Sequence, residues 1–247
     1  MPVREWDGTS YDRISGTMEA LGREVLERLQ LDGDELVLDA GCGSGRITAA
    51  LIERLPRGRV IAVDGSESMA AAARRRLGPQ ADVRVGDLLE LELGEPVDAI
   101  LSTAALHWVP DHDRLWRRLA QALRPGGMLE VQCGGVGNID GVRQVIDAVA
   151  RDAAPELVGW SPWVFAGPQE TGERLRDAGL IAIRCWLERR PTYPRDVAAF
   201  VSTSILAAHL ARLPEDSRER FAAAVVAGVR LPLDYVRLNV SAVRGPA

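Results

Sequence analysis

One stretch of the chain leaves little choice about its fold. Leu36-Val37-Leu38-Asp39-Ala40 is a short apolar run that reads as a buried strand, and Gly41-Cys42-Gly43-Ser44-Gly45 follows with glycine at alternate positions. A helical pattern starts at once: Ile47, Ala50, Leu51 and Leu55 share one face, and Pro56-Arg57-Gly58 stops it. Glycines let the backbone approach a ligand closely and accept positive φ. The helix start offers unpaired N–H groups and the positive end of its dipole. Strand, glycine turn and helix N-terminus in that order build a nucleotide site.

The pattern repeats down the chain. Arg59 to Asp64 is a second apolar run ending in an acid, about 20 residues past the loop, where a Rossmann-like site places its ribose-binding carboxylate. Ser66 then caps a helix that stops at Leu77-Gly78-Pro79. Asp82 to Asp87 and Val97 to Ser102 give a third and a fourth strand. A helical stretch from Asp113 to Leu123 and the turn Arg124-Pro125-Gly126-Gly127 lead into a fifth, Met128 to Val131. Alternating strands and helices, with acids at strand ends, predict a parallel sheet with its ligand beyond the carboxyl edge.

Further on, 140–153 and 168–178 read as helices, 180–187 as a strand, and 194–230 as two helices split by Leu213-Pro214-Glu215. The last strand, 235–243, alternates Val236, Leu238, Val240 and Ala242 against polar positions.

The loop resembles the first motif of the class I S-adenosylmethionine (SAM) methyltransferases, an acid followed by three alternating glycines, here Asp39, Gly41, Gly43 and Gly45. Dinucleotide sites favour G-x-G-x-x-G, and Arg46 stands where that pattern wants its third glycine. An acid near the amino end of SAM suits that ligand better than it suits a pyrophosphate. The resemblance runs strongly from about residue 30 to 135 and includes the Leu123 to Gly127 turn.

It implies SAM as cofactor, with Asp64 on the ribose and Asp87 with Leu88 on the adenine. The expected cofactor site comprises Tyr11, Asp39, Gly41, Cys42, Gly43, Asp64, Gly65, Asp87, Leu88 and Ser102. The expected fold is α/β: a Rossmann-like, seven-stranded, mostly parallel sheet with helices on both faces and one antiparallel strand. A single domain over 1–247 would carry an N-terminal helical flap (1–35), a SAM-binding core (36–133) and a helical cap (194–230).

The chemistry should lie after the fourth strand, at Ser102-Thr103-Ala104-Ala105-Leu106-His107-Trp108. The candidate catalytic residues are His107, as a base or as a donor to a carboxylate, and Trp108, as a pocket wall. A backbone-bonded histidine and a core tryptophan are the competing reading.

The His-Trp pair resembles the trans-aconitate methyltransferases and the malonyl-carrier-protein methyltransferases, both of which methylate carboxylates. Trp6 with Tyr11-Asp12-Arg13, the Trp163-Val164-Phe165 segment and the closing Asp234 to Asn239 strand lean towards the former. The expected acceptor is therefore a small organic carboxylate. A hydroxyl acceptor, a non-catalytic SAM-binding protein and a NAD-linked oxidoreductase are the alternatives. The glycine spacing and Arg46 oppose the last.

Composition narrows the partners. Net charge is -5 and the isoelectric point is near 5.4, against the basic stripe that a nucleic acid would favour. No apolar run approaches the ~20 residues that span a membrane. Three cysteines without C-x-x-C spacing point to a reduced, cytosolic setting. The three histidines, His107, His112 and His209, lack metal-ligand spacing, so no metal is expected. A monomer or homodimer acting on a small molecule fits these features.

Overall fold

Each apolar run that ends near an acid becomes a strand of one sheet. The computed structural model describes residues 16–246; Trp6, Tyr11, Asp12 and Arg13 lie outside them. The strands are β1 (Leu36–Ala40), β2 (Arg59–Asp64), β3 (Asp82–Val85), β4 (Val97–Thr103), β5 (Leu123–Gly134), β6 (Leu180–Arg189) and β7 (Val236–Arg244). Their order is β3-β2-β1-β4-β5-β7-β6. β1 to β5 run parallel, and β7 runs antiparallel to both of its neighbours. From β1 the chain builds outward through β2 and β3 on one side and through β4 and β5 on the other. The loops leaving β1 and β4 therefore diverge, and ligands of such sheets bind at that switch point.

β1 is buried along its whole length, as a central parallel strand covered on both faces must be. On one face, helices α1 (Gly16–Leu26) and α2 (Arg46–Glu53) bring Val25, Leu26, Ile47 and Leu51 against Val37, Val60, Ala99 and Leu101. On the other, α4 (His112–Ala122) and α6 (Pro168–Asp177) bring Leu115, Leu119 and Leu175 against Leu38, Ile100 and Leu129. Helix α3 (Glu67–Leu77) is capped by Ser66, whose hydroxyl accepts from the Met69 N–H at 3.2 Å.

A second apolar cluster lies apart from the sheet core. Helix α5 (Asp140–Ala153) supplies Val142, Ile146 and Ala150 to it. The segment between β6 and β7 supplies Phe200, Val201, Ile205, Phe221 and Val225. That segment holds α7 (Val197–Phe200), a π-helical turn (Val201–Leu206), α8 (Ala207–Leu210) and α9 (Glu215–Gly228).

Three details differ from the sequence expectation. β3 ends at Val85, so Asp87 stands just past the strand and caps a short 3-10 turn. The Arg124 to Gly127 turn lies within β5 as a bulge: Leu123 pairs with Val97 and Met128 with Ala99. The first helix of the 194–230 insertion is broken by its π turn, where Val201-Ser202-Thr203-Ser204-Ile205 runs together β-branched and hydroxyl residues that hold an α-helix poorly. Among the described residues no helix is long and apolar enough to cross a membrane.

Candidate active site

The glycine loop takes its shape from three left-handed residues, Gly41 (φ 83°), Gly43 (φ 54°) and Gly45 (φ 81°). A Cβ on Gly41 would lie 2.2 Å from the Ala105 Cβ. Glycine there lets the loop after β1 lie directly against the loop after β4. A Cβ on Gly43 would meet nothing within 4 Å, so the loop crest faces open space. The N–H groups of Gly41 and Cys42 both donate to the Val63 carbonyl, at 2.8 and 3.0 Å.

Asp64, at the end of β2, accepts from the Gly43 N–H at 2.8 Å and the Ser66 N–H at 2.9 Å. One carboxylate thus ties the glycine loop to the bend through Gly65. Asp39 is buried beneath the loop, where it accepts from the Thr48 hydroxyl at 2.6 Å. Its other oxygen, Oδ1, is buried with no hydrogen-bond partner. Burial pushes the Asp39 carboxyl up to about 7, opposed by the Thr48 bond and assisted by the nearby Asp64 charge.

Asp87 accepts from the Leu89 N–H at 2.9 Å at the next strand end. The structure thus gathers Asp39, Gly41, Cys42, Gly43, Asp64 and Gly65 around one loop, with Asp87 on the neighbouring strand. Leu88 and Ser102 turn elsewhere. Leu88 packs into the sheet core, and the buried Ser102 hydroxyl donates to the Ala40 carbonyl at 2.6 Å, stitching β4 to β1. Cys42 is buried with its thiol on the Gly43 carbonyl, and burial pushes that thiol's pKa up.

Beyond Ala105 the β4 loop opens into a cavity of about 50 Å³. Its lining includes Ala104 and Ile139, both non-glycine residues at positive φ (58° and 50°). Such strained backbone persists where the surroundings hold it, often at functional sites. Its walls are aromatic: Trp163 stacks on Phe165 (centroids 5.5 Å apart, planes 9°), and Trp108 tilts against Trp163 at 5.7 Å. Phe165 fits because β5 ends in Gly134; a Cβ there would lie 2.6 Å from its ring. Met18 of α1 and Phe200, Ser204 and Ile205 of the insertion complete the lining.

The polar groups of this cavity meet at the end of the β5–β7 ladder. Gly134 pairs with Arg237 in that ladder, and the Gly134 N–H donates to His107 Nδ1 at 3.3 Å. An Nδ1 that accepts carries no proton, so the neutral ring bears its hydrogen on Nε2. Asn138 Oδ1 accepts from the Val236 N–H at 2.9 Å, which assigns its NH₂ to the other side of the amide. Arg237 is only 3% exposed and lies 5.8 Å from the Tyr235 ring centroid.

Asn138, Ser204 and Arg237 were not apparent from sequence. The usable signal was in β7, where Arg237 and Asn239 occupy alternate positions that a half-buried strand gives to solvent, yet both are buried.

Residues 37–127 match the methyltransferase domain family. A trans-aconitate 2-methyltransferase of Mycobacterium tuberculosis (strain ATCC 25177 / H37Ra) is 33% identical over 178 residues, covering 70% of this chain and 67% of that protein.

The chain belongs to the SAM-dependent methyltransferases.

A trans-aconitate 2-methyltransferase of Azoarcus sp. (strain BH72) is 40% identical over 127 residues, 51% of this chain. The chain spans about half the length of that relative, 50% of it. The solved phosphoethanolamine N-methyltransferase 2 of Haemonchus contortus, in complex with phosphomonomethylethanolamine and S-adenosylhomocysteine, superposes with a TM-score of 0.68. It covers 97% of this chain and 57% of that one, at 19% identity, and shares the fold.

The residues present fit the family's cofactor. The open space over Gly43 admits a ligand against bare backbone. Asp64 and Asp87 stand at successive strand ends as acceptors for hydroxyl and amino hydrogens. Among the described residues no group of three or more His, Cys, Asp or Glu is placed to hold a metal ion.

Proposed function

We propose that this methyltransferase moves a methyl group from SAM to a carboxylate oxygen of a small organic acid bound in the aromatic cavity. When bound, SAM would supply an electrophilic methyl carried on a sulfonium: an acceptor carboxylate oxygen would bond to that carbon in line as the S–CH₃ bond breaks and its electron pair leaves with sulfur as S-adenosylhomocysteine. Asp64 takes the ribose hydroxyls, Asp87 the adenine, and the Gly41 to Gly43 backbone the amino acid end. The 197–228 insertion serves as a cap, since Phe200, Ser204 and Ile205 roof the cavity. Much of the catalysis then comes from alignment in a site screened from water.

The observation that carries the carboxylate reading is the Gly134 N–H bond to His107 Nδ1. It makes the neutral ring an Nε2–H donor. A carboxylate is ionised at neutral pH, needs no base and gains from a donor. A hydroxyl acceptor needs a base, and Nε2 could accept its proton only by giving up the Gly134 bond or carrying two protons beside it.

The test is incubation with methyl-labelled SAM and a panel of organic acids and alcohols that includes trans-aconitate, followed by mass analysis. A base-labile methyl ester of an acid is the expected product. Label found only in ethers would overturn the reading.

A further inference from the structure

The two edges of the sheet differ. β3 is a strand of four residues, whereas β6 has ten and pairs only with β7. An edge strand offers a row of backbone N–H and C=O groups to any further strand, and proteins blunt such edges by shortness, bulges, prolines or charges. In β6 a bulge disturbs the first part, where the pairing shifts between Ile181 and Arg184 and Ala182 has φ 51°. From Arg184 to Arg189 the strand pairs residue for residue with β7 and contains no proline.

The side chains of this regular stretch are ordered about Trp186. Arg184, Trp186 and Glu188 lie on one face, paired with Ser241, Asn239 and Arg237 of β7. Cys185 and Leu187 lie on the other, paired with Val240 and Leu238. Arg184 is exposed and makes no ion pair among the described residues; its guanidinium lies 5.3 Å from the Trp186 ring centroid. Glu188 gives Oε1 to Arg190 at 2.9 Å and keeps Oε2. Leu187, in the middle of an otherwise polar edge, is 38% exposed.

We propose that β6 is the interface of a homodimer, in which two copies pair β6 with β6 antiparallel about a two-fold axis at Trp186 and join their sheets into one. A two-fold interface must be complementary to itself, and the charges of β6 select the register. With the axis at Trp186, Arg184 stands opposite Glu188 of the second copy and Glu188 opposite its Arg184. The two Trp186 rings form a cross-strand pair between them, and Leu187 meets Cys185 on the other face. Opposite charges and aromatic pairs directly across are the stabilising combinations of an antiparallel ladder. An axis at Arg184 or at Glu188 sets like charges against each other, and an axis at Leu187 sets Arg184 against Arg190. An axis at Cys185 leaves both charges without a partner.

The test is sedimentation of the full chain over a concentration series. Wild type should shift from 26.8 kDa to twice that mass. Arg184→Glu sets glutamates opposite each other at both symmetric positions, and Glu188→Arg sets arginines there. Each variant should weaken the dimer about a hundredfold, the scale of two cross-strand pairs turned from attraction to repulsion. An equimolar mixture of the two variants restores opposite charges at both positions and should dimerise. Binding of S-adenosylhomocysteine should match wild type throughout. Hydrogen exchange on wild type needs no variant: the amides of 184–189 should slow as concentration rises, while those of β3 stay constant.

A wild type that stays at 26.8 kDa would overturn the proposal. So would a dimer whose β6 amides exchange at one rate at every concentration, or charge variants that dimerise as wild type does. Two monomeric variants whose mixture stays monomeric would overturn the register about Trp186.

Discussion

Around the glycine loop, the bonds that matter stay within one strand–helix–strand unit: Asp64 to Ser66, Asp39 to Thr48, and the N–H groups of Gly41, Cys42 and Gly43 to Val63 and Asp64 of β2. Around the aromatic cavity the contacts join distant elements: His107 to Gly134, Asn138 to Val236, and Ile139 with Phe200 in one apolar cluster. The first region is encoded largely by the stretch from β1 to the start of α3. The second exists only when the β5–β7 ladder, α5 and the insertion have all docked. A fold can thus keep one ligand by a fixed motif and change the other by substituting scattered positions.

Variants should separate the two regions, and the largest effect belongs to Gly41. Valine there combines positive φ with a Cβ 2.2 Å from Ala105. Overpacking and left-handed strain together cost about 3–5 kcal/mol, so Gly41→Val should abolish S-adenosylhomocysteine binding in calorimetry. Binding at wild-type strength would mean that the loop and the β4 turn do not need their close contact.

Next in size is a pH effect beneath the loop. Asp39 is raised in the folded protein from 3.8 to about 7. Between those values the folded state holds more protons than the unfolded state, so stability falls as pH rises through that window. The loss is at most about 4 kcal/mol and is complete above pH 7. Asp39→Asn should remove the slope, so that its stability relative to wild type grows from pH 4 to pH 7 in urea titrations. Parallel curves for the two proteins would show that Asp39 stays ionised in the fold.

Asp64→Ala comes third. It should weaken S-adenosylhomocysteine by roughly 1.5–3 kcal/mol, the scale of hydrogen bonds to a charged group, while leaving the acceptor KM near wild type. An equal loss for both ligands would break the division between the regions.

The smallest effect is expected at His107. Glutamine can accept from the Gly134 N–H and still donate, so His107→Gln should lose about 1 kcal/mol in kcat/KM and show little pH dependence. Loss of a limb that rises through the histidine range would make His107 a base and the acceptor a hydroxyl.

These regions also differed in how far the sequence revealed them. All seven strands, the acids at their ends and the helix 140–153 could be read from periodicity and stop signals, because burial on a sheet leaves a regular imprint. Glycine at 41 and the acid at 64 could be read for the same reason: backbone geometry and strand ends allow few residue types.

At Ser102 and Leu88 the motif fixes the place of the backbone but not the direction of the side chain: the Ser102 hydroxyl goes to the Ala40 carbonyl and Leu88 packs into the sheet core, which only the tertiary fold decides. Arg237 and Asn239 looked like the wet face of an alternating strand. They are buried by tertiary neighbours: Arg28, in the chain after α1, and Gln132 of the adjoining β5 donate to Asn239 Oδ1 at 2.8 and 3.0 Å, and Arg237 lies in the lining of the aromatic cavity. No local pattern announces that coverage. The π turn left a trace in its Ser-Thr-Ser run, yet its position over a cavity is a tertiary fact.

The placement of β7 between β5 and β6 also fixes an order of events during synthesis. β1 to β5 pair with strands made before them or close by, so the glycine-loop half can assemble while the chain is still emerging. β6 emerges next and has no edge to join, because its only neighbour in the sheet is β7. Until residues 236–244 leave the ribosome, β6 and the helices after it wait as an undocked arm. The same strand then supplies Arg237, and Tyr235 lies just before it, so the glycine-loop half takes shape first and the aromatic cavity is completed only when β7 has paired.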